Sequence, residues 1–495
     1  MPARFTAVGV YRPAVLRLLS CLLFSPLILM AGLTLAMQAR AEGFPATGAL
    51  AEKGFVVGAQ ARLLDSGETL GSIAPDQQMT PASVSKLYTA AAALKQWGPQ
   101  KRFTTELRSS GAIVDGVLKG DLMLDGGGDP GMTSEDYWLL VQGLASRGIR
   151  RIDGRVLASQ WRFGPVTCVT TDRCDARTRT RHAFDAQLTS TAVDFATWCM
   201  RVMPGDAEGV PARVTNCAGP TPLTRVDNRV TTVAQGNTGI SAERTTVNGE
   251  DIMVISGQIR LGSAPSNVYR SSADPTEQTL KTLESLMNDA GIAVTGGFAA
   301  TSTPPGDNTQ VLSAVEGKPL QEQLLRMLNY SNNFMADVLA LDLVNGTPTL
   351  QSAGSTLDAF ANDIPGHGPV KLRSGSGLTP ESQTSARGVT ALLDYMYHQP
   401  ALFPVFVAGM QAPVNGPMNF IRRGSERFQQ SVMIKTGTLN EPVPVRAVAG
   451  YFRTQSGRWG AFTVMVNGRA PTPYINWTTT LEAVASDIDA MIAHH

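Results

Sequence analysis

The stretch Pro81-Ala82-Ser83-Val84-Ser85-Lys86-Leu87-Tyr88-Thr89-Ala90-Ala91-Ala92-Ala93-Leu94 constrains this chain more than any other. Its second half is small, apolar and strongly helix-forming, which suits a helix enclosed by other elements. Ser83 and Lys86 are three positions apart, so on a helix they share a face about one turn from each other. A serine at the positive end of such a helix, with an amine one turn along, can lose its proton without histidine. Ser-x-x-Lys also arises by chance in a chain of 495 residues, so the remaining sequence must decide.

With 43% hydrophobic and 17% charged residues and no long low-complexity tract, the chain reads as globular, long enough for two to four domains. Its formal charge of +1 carries no clustered basic excess, and a nucleic-acid partner is not expected. Arg4, Arg12 and Arg17 precede an apolar run over 18–37, and Ala39-Arg40-Ala41 follows as a cleavage pattern. This predicts a signal peptide over 1–41 and export to the periplasm. The alternative, a retained membrane anchor, is disfavoured by Pro26 and Gly32 within the run. No later stretch is apolar enough to span a membrane.

Cys168, Cys174, Cys199 and Cys217 remain after cleavage. An even count in an exported chain predicts two disulfides with three possible connectivities. Cys168–Cys174 with Cys199–Cys217 closes the shortest loops. Only His182 lies nearby and no finger-like spacing occurs, so staples are expected there rather than a metal site. No cofactor is expected.

Taken in order, 54–73 predicts two alternating strands turning at Asp65-Ser66-Gly67, and the helix of Ser83 should end near Trp97-Gly98-Pro99. Strands are expected at 104–109, 112–114 and 118–125. Gly126-Gly127-Gly128-Asp129-Pro130 lacks the Gly-Lys-Ser/Thr ending of a phosphate loop and reads as a tight turn. A helix over 134–147 precedes irregular sequence to about 217. Strands at 230–234, 251–260 and 266–271 and a helix at 276–290 follow. Thr303-Pro304-Pro305-Gly306-Asp307-Asn308 marks a boundary. Helices are then expected at 320–328, 333–343 and 385–397, an antiparallel meander at 431–436, 445–453 and 459–467, and a closing helix at 478–493.

Two further motifs stand in order after Ser83. Ser331-Asn332-Asn333 sits in a turn between helices, and Lys435-Thr436-Gly437-Thr438 ends a β-branched strand. Ser-x-x-Lys, Ser-x-Asn and Lys-Thr-Gly in this order mark the β-lactamases and penicillin-binding proteins. Singly, Ser331-Asn332-Asn333 would be a helix cap and Lys435 a solvated strand end. Jointly they predict Ser83 as acylated nucleophile and Lys86 as a neutral amine taking its proton, its pKa lowered by burial and by Lys435. Ser331 would relay a proton to the leaving amine, and Asn333 would orient Lys86. Lys435 and Thr436 would bind a substrate carboxylate. Backbone N–H groups of Ser83 and Thr438 would serve as oxyanion donors.

Ser83 and Ser331 lie 248 positions apart, much further than in β-lactamases. With this insertion the mature chain resembles the class C low-molecular-mass penicillin-binding proteins, the D-alanyl-D-alanine carboxypeptidase/endopeptidase family. The resemblance rests on Pro81-Ala82-Ser83, Lys86-Leu87-Tyr88-Thr89, Gly128-Asp129-Pro130, Tyr330-Ser331-Asn332-Asn333, Gly375-Ser376-Gly377-Leu378 and Lys435-Thr436-Gly437-Thr438-Leu439.

It implies an α/β (α+β) fold: a transpeptidase-like domain, an antiparallel sheet flanked by helices, built from 42–107 and 303–495. Inserted into it would be a β-rich domain at 108–135 and 206–302, with a second domain nested at 136–205. The implied activity is serine-type hydrolysis of D-Ala-D-Ala stems and D-alanyl–diaminopimelate cross-links of peptidoglycan. β-Lactams would be covalent inhibitors, and any membrane or cell-wall-complex association would be peripheral. A non-hydrolytic penicillin-binding module and a β-lactamase-like hydrolase are the alternatives. Ser374 stands where the family usually has Asp, Thr379-Pro380 where Ser-Arg is common, and Asn332 where Asp is common. The loop around Ser374 is expected to face substrate.

Overall fold

The structure, a computed structural model, describes residues 43–164, 166, 182–217 and 225–495. The expected signal peptide and the expected Cys168–Cys174 bond lie outside the described residues. Cys199 and Cys217 form the expected second disulfide.

Both ends of the chain build one five-stranded antiparallel sheet. Its order is Val432–Leu439, Val445–Arg453, Trp459–Asn467, Val56–Leu63, Thr69–Ile73. The two hairpins join through Val56–Leu63, which pairs residue by residue with Trp459–Asn467. The sheet is covered on both faces. Val448, Phe452, Phe462 and Val464 pack with Phe44, Phe428 and the closing helix Trp477–His494. Ala447, Ala449 and Tyr451 pack against the helical layer on the other side. Strand 56–63 is therefore largely buried on both faces, and the alternation expected for it is not seen.

The helical layer centres on Lys86–Trp97, where every residue from Lys86 to Leu94 is buried. The alanine run is the reason. Small side chains let helices Leu320–Asn329, Asn333–Asp342, Leu350–Asn362 and the sheet approach this helix from all sides. Leu350–Asn362 was not expected from sequence; it starts at a Thr349 cap whose hydroxyl accepts from Ser352 N at 3.0 Å. The other expected helices lie within a few residues of their predicted bounds.

The inserted chain carries further sheets of its own. A second five-stranded sheet runs Phe298–Thr301, Val156–Ser159, Leu122–Asp125, Thr104–Ser109, Gln310–Glu316. Thr104–Ser109 thus crosses the boundary drawn at 107. Its partner Gln310–Glu316 lies beyond the Pro/Gly link, so that link is a loop between strands. The span 118–125 splits at Gly120, with φ 146°, into strands of two different sheets. Helices Ser134–Ser146 and Pro275–Asp289 cover the second sheet through Tyr137, Leu140, Leu283 and Met287. The first is capped by Thr133, whose N–H donates to Asp136 at 2.9 Å.

Two further three-stranded sheets come from 197–271. They are Arg213–Asn216, Thr197–Met203, Ser266–Ser271 and Arg225–Val233, Glu250–Arg260, Gly239–Val247. Thr197–Met203 and Gly239–Val247 were not expected as strands. Both sheets share a core of Trp198, Met200, Val230, Met253 and Ile255. The glycine-rich segment before Pro130 is a packed turn, with Gly128 at φ 74°. Asp129 beside it accepts from Gln323 Nε2 at 3.1 Å, joining the insertion to the helical layer.

Candidate active site

Ser83 lies in a tight 3-10 turn, Ala82–Ser85, that runs directly into the helix beginning at Lys86. It therefore precedes the α-helix proper. The turn is wedged against the Lys435 strand. A Cβ at Gly437 would come within 2.5 Å of the Pro81 carbonyl and 3.0 Å of Ser83 N, so only glycine lets the strand approach this closely.

Lys86 is fully buried, and its Nζ meets groups from three separate segments. Asn333 Oδ1 is at 2.6 Å, the Ser376 carbonyl at 2.8 Å and Ser83 Oγ at 2.9 Å. An ammonium has three N–H donors and a neutral amine has two plus a lone pair. Asn333 Oδ1 and the Ser376 carbonyl can only accept. Among these three, Ser83 Oγ is the group that can either accept or donate, so the Ser83–Lys86 contact can carry a proton in either direction.

The second amine–hydroxyl pair comes from distant segments. Lys435 Nζ donates to Ser331 Oγ at 2.8 Å and to the Thr436 carbonyl at 2.7 Å. Burial pushes the Lys435 pKa down to about 7. Ser331 occupies the left-handed region, φ 54°, in the turn between two helices. Asn332 is the helix cap, accepting from Met335 N at 3.0 Å, so the capping role falls to Asn332 alone. Asn333, one residue on, is buried and faces Lys86.

The Lys435 strand is an edge of its sheet. Ile434 makes two outward backbone bonds, its N–H to the Gln411 carbonyl at 2.8 Å and its carbonyl from Gln411 N at 2.9 Å. Backbone polar groups of alternate residues point the same way along a strand. Thr436 and Thr438 therefore also turn their backbone groups outward, towards Ser83. Ser83, Ser331, Asn333, Thr436 and Thr438 line one cleft of about 510 Å³, with Phe184, Leu378 and Phe420 among its other walls.

Several contributors were invisible to motif reading. The Ser376 carbonyl is aimed by its own peptide unit, because Ser376 N donates to Asp337 Oδ1 at 2.7 Å. Asp337 stands one turn after Asn333 on the same helix. Thr89, one turn after Lys86, donates its hydroxyl to the Gly375 carbonyl at 2.8 Å. Phe184, from the insertion, accepts from Asn333 Nδ2 through its carbonyl at 3.0 Å. No local sequence signal marks a backbone carbonyl as a partner for a residue hundreds of positions away. The loop around Ser374 reaches the cleft through Gly377 and Leu378, while Ser374 itself is 2% exposed and its hydroxyl accepts from Gly377 N at 3.2 Å inside the turn.

The sequence pattern of the D-Ala-D-Ala carboxypeptidase 3 (S13) family matches residues 47–486. The chain belongs to that family. A D-alanyl-D-alanine carboxypeptidase from an Actinomadura species is 27% identical over 426 residues, covering 82% of this chain and 77% of the relative. The carboxypeptidase DacB of Haemophilus influenzae is 22% identical, covering 84% and 86%. The crystal structure of penicillin-binding protein 4 from Haemophilus influenzae superposes with a TM-score of 0.72 at 20% identity, covering 90% of this chain and 99% of that one. The penicillin-binding fold of this family is thus the fold of this chain, an α/β architecture with antiparallel sheets.

Proposed function

We propose that this serine peptidase removes terminal D-alanine from peptidoglycan stem peptides through an acyl-enzyme on Ser83. The observation that carries the reading is the convergence of two amine–hydroxyl pairs, Lys86 with Ser83 at 2.9 Å and Lys435 with Ser331 at 2.8 Å, on one cleft. Neutral Lys86 takes the Ser83 proton as Oγ attacks the penultimate carbonyl. The N–H groups of Ser83 and Thr438 receive the developing oxyanion, a contribution of about 10²–10³ per donor in rate. Ser331, in contact with Lys435, passes a proton to the departing D-alanine nitrogen. Lys435, Thr436 and Thr438 hold the terminal carboxylate, and Gly437 gives the strand its close approach. Asn333 fixes Lys86 through Oδ1. Water then enters and releases the shortened stem.

The same acylation extends to D-alanyl–diaminopimelate cross-links and to β-lactams, whose ring carbonyl occupies the position of the scissile one. A β-lactam is bound in one solved structure of the Haemophilus influenzae protein. Such a substrate calls for export to the periplasm, in keeping with the basic and apolar N-terminus. No helix among the described residues is long and apolar enough to cross a membrane, and any membrane or cell-wall-complex association is taken as peripheral. The inserted sheets we read as two modules, one nested in the other.

The test is a pair of measurements on purified protein. Fluorescent penicillin should label Ser83 and leave slowly, and a D-Ala-D-Ala muropeptide should yield D-alanine by product analysis. Rapid penicillin turnover would indicate a lactamase instead, and labelling without muropeptide cleavage a binding module. Labelling of Ser83→Ala would defeat the assignment altogether.

A further inference from the structure

The Ser83 cleft does not end at its own walls. A second hollow of about 570 Å³ shares Phe184, Ser331 and Asn333 with it and is walled further out by Tyr269, Arg326 and Tyr330. A third, about 670 Å³, shares Tyr269 and Arg326 with the second and continues to Glu135 and Trp138 at the start of helix Ser134–Ser146. The shared walls join the three into one groove leading from Ser83 across the insertion.

Four large aromatic side chains stand along it with much of their surface in solvent: Phe184 at 52%, Tyr330 at 61%, Tyr269 at 46% and Trp138 at 47%. Scattered exposed apolar residues are ordinary, but a row of them along a groove continuous with a catalytic cleft marks a binding surface. The backbone invests in this wall. Asp194, Phe195 and Ala196 all have positive φ, 49°, 59° and 55°, in succession. Three such L-residues in succession are strained and persist only where the surrounding structure holds them. Asp194 is tied to the adjacent helix start, accepting from Ser134 N at 3.1 Å. The strained turn leaves the Phe195 ring under the Arg326 guanidinium, 5.3 Å from its centroid.

We propose that this groove binds the amino-sugar strand carrying the stem peptide, so that the substrate is peptidoglycan polymer rather than free peptide. The inference rests on the peptidase reading above, which places a glycan-linked stem at Ser83. Aromatic faces bear the negative side of the ring quadrupole, which suits the weakly positive axial C–H groups of pyranoses. Glu135 and Arg326 stand beside the rings for hydroxyl and carboxylate groups. An extended second peptide would instead seek backbone pairing at a strand edge.

The experiment compares wild type with Trp138→Ala and Tyr269→Ala on three substrates: a sugar-free D-Ala-D-Ala peptide, a sugar-free cross-linked peptide dimer, and glycan strands of several disaccharides bearing the same stems. On glycan strands each variant should lose about fivefold to tenfold in kcat/KM, carried by KM. Rates on both sugar-free substrates and penicillin acylation should be unchanged. Unaltered kinetics on glycan strands would overturn the proposal. So would an equal loss on the peptide dimer, which would assign the groove to a second stem. Binding of peptide-stripped glycan oligosaccharides, followed by NMR, decides the groove independently of turnover. Wild type should bind them and Trp138→Ala should bind several-fold more weakly; no binding by wild type overturns the groove assignment. A wild type that binds glycan yet cleaves no stem would defeat the peptidase reading and leave the groove standing.

Discussion

Lys86 Nζ lies 2.6 Å from Asn333 Oδ1 across 247 positions of sequence. That contact couples the helix following Ser83 to the helix following Ser331. Of Asn333 Oδ1, the Ser376 carbonyl and the Ser83 hydroxyl, all within reach of Lys86 Nζ, the hydroxyl is the one with a proton to give.

Lys86→Ala is expected to slow penicillin acylation by roughly 10²–10⁴-fold, the usual contribution of a positioned base. Asn333→Ala keeps the amine but frees it from a fixed acceptor, and should cost less in rate. Stopped-flow labelling orders the two variants, and an Asn333→Ala defect as large as that of Lys86→Ala would contradict the assignment of roles.

Lys435 sets a pH limit on the free enzyme. Burial lowers its pKa to about 7, so its positive charge is present below that pH and lost as pH rises through it. The second-order rate of acylation by benzylpenicillin, whose carboxylate needs that charge, should fall with rising pH above about 7. An ester lacking the carboxylate should show no such alkaline limb. A benzylpenicillin profile that stays flat to pH 9 would remove Lys435 from carboxylate binding.

Asp337 is a positioning residue. Its Oδ1 accepts from Ser376 N at 2.7 Å, and the Ser376 carbonyl in turn holds Lys86. Asp337→Ala leaves a buried N–H unsatisfied and should cost about 1–3 kcal/mol in denaturant unfolding, together with a slower acylation. Asp337→Asn retains an acceptor oxygen and should recover most of the acylation rate. Failure of the asparagine variant to exceed the alanine one would leave Asp337 a purely structural residue.

His367 should make stability depend on pH. It is 1% exposed, and its Nδ1 faces the Gly368 carbonyl at 3.0 Å, so Nδ1 carries the proton. Nε2 then accepts from the Tyr88 hydroxyl at 2.8 Å, and Tyr88 accepts from Thr384 at 2.8 Å. Burial holds the His367 pKa below its ordinary value. Its contribution is therefore complete above the unfolded pKa of about 6.5 and is lost as pH falls through the folded value. Denaturant midpoints should decline below pH 6.5 in wild type and decline less in His367→Gln. Identical slopes would exclude this histidine as the source.

Much of the catalytic half was legible because its signals are local. The alanine run dictates a buried helix, and Ser83 and Lys86 share a face through the helical repeat. The meander 432–467 follows from β-branched runs and turns. The inserted half was harder. Strand Gly239–Val247 runs Ser241, Glu243, Arg244, Thr245 and Thr246 with little apolar alternation, so only its pairing with Glu250–Arg260 makes it a strand, and the pairing of Thr104–Ser109 with Gln310–Glu316 spans two hundred positions.

What the sequence by itself determined is the chemical inventory: a serine, two lysines, a second serine and an asparagine, in motifs whose order and spacing identify the family. Periodicity and residue type act over a few positions, and those pieces are set within such a range. Only the tertiary structure decided that a peptide carbonyl at Ser376 would complete the Lys86 environment, that Asp337 would aim it, and that Phe184 would reach Asn333 from the insertion. Every residue carries the same backbone carbonyl. Which one meets a buried amine depends on how distant elements pack, and packing is decided by the whole chain at once.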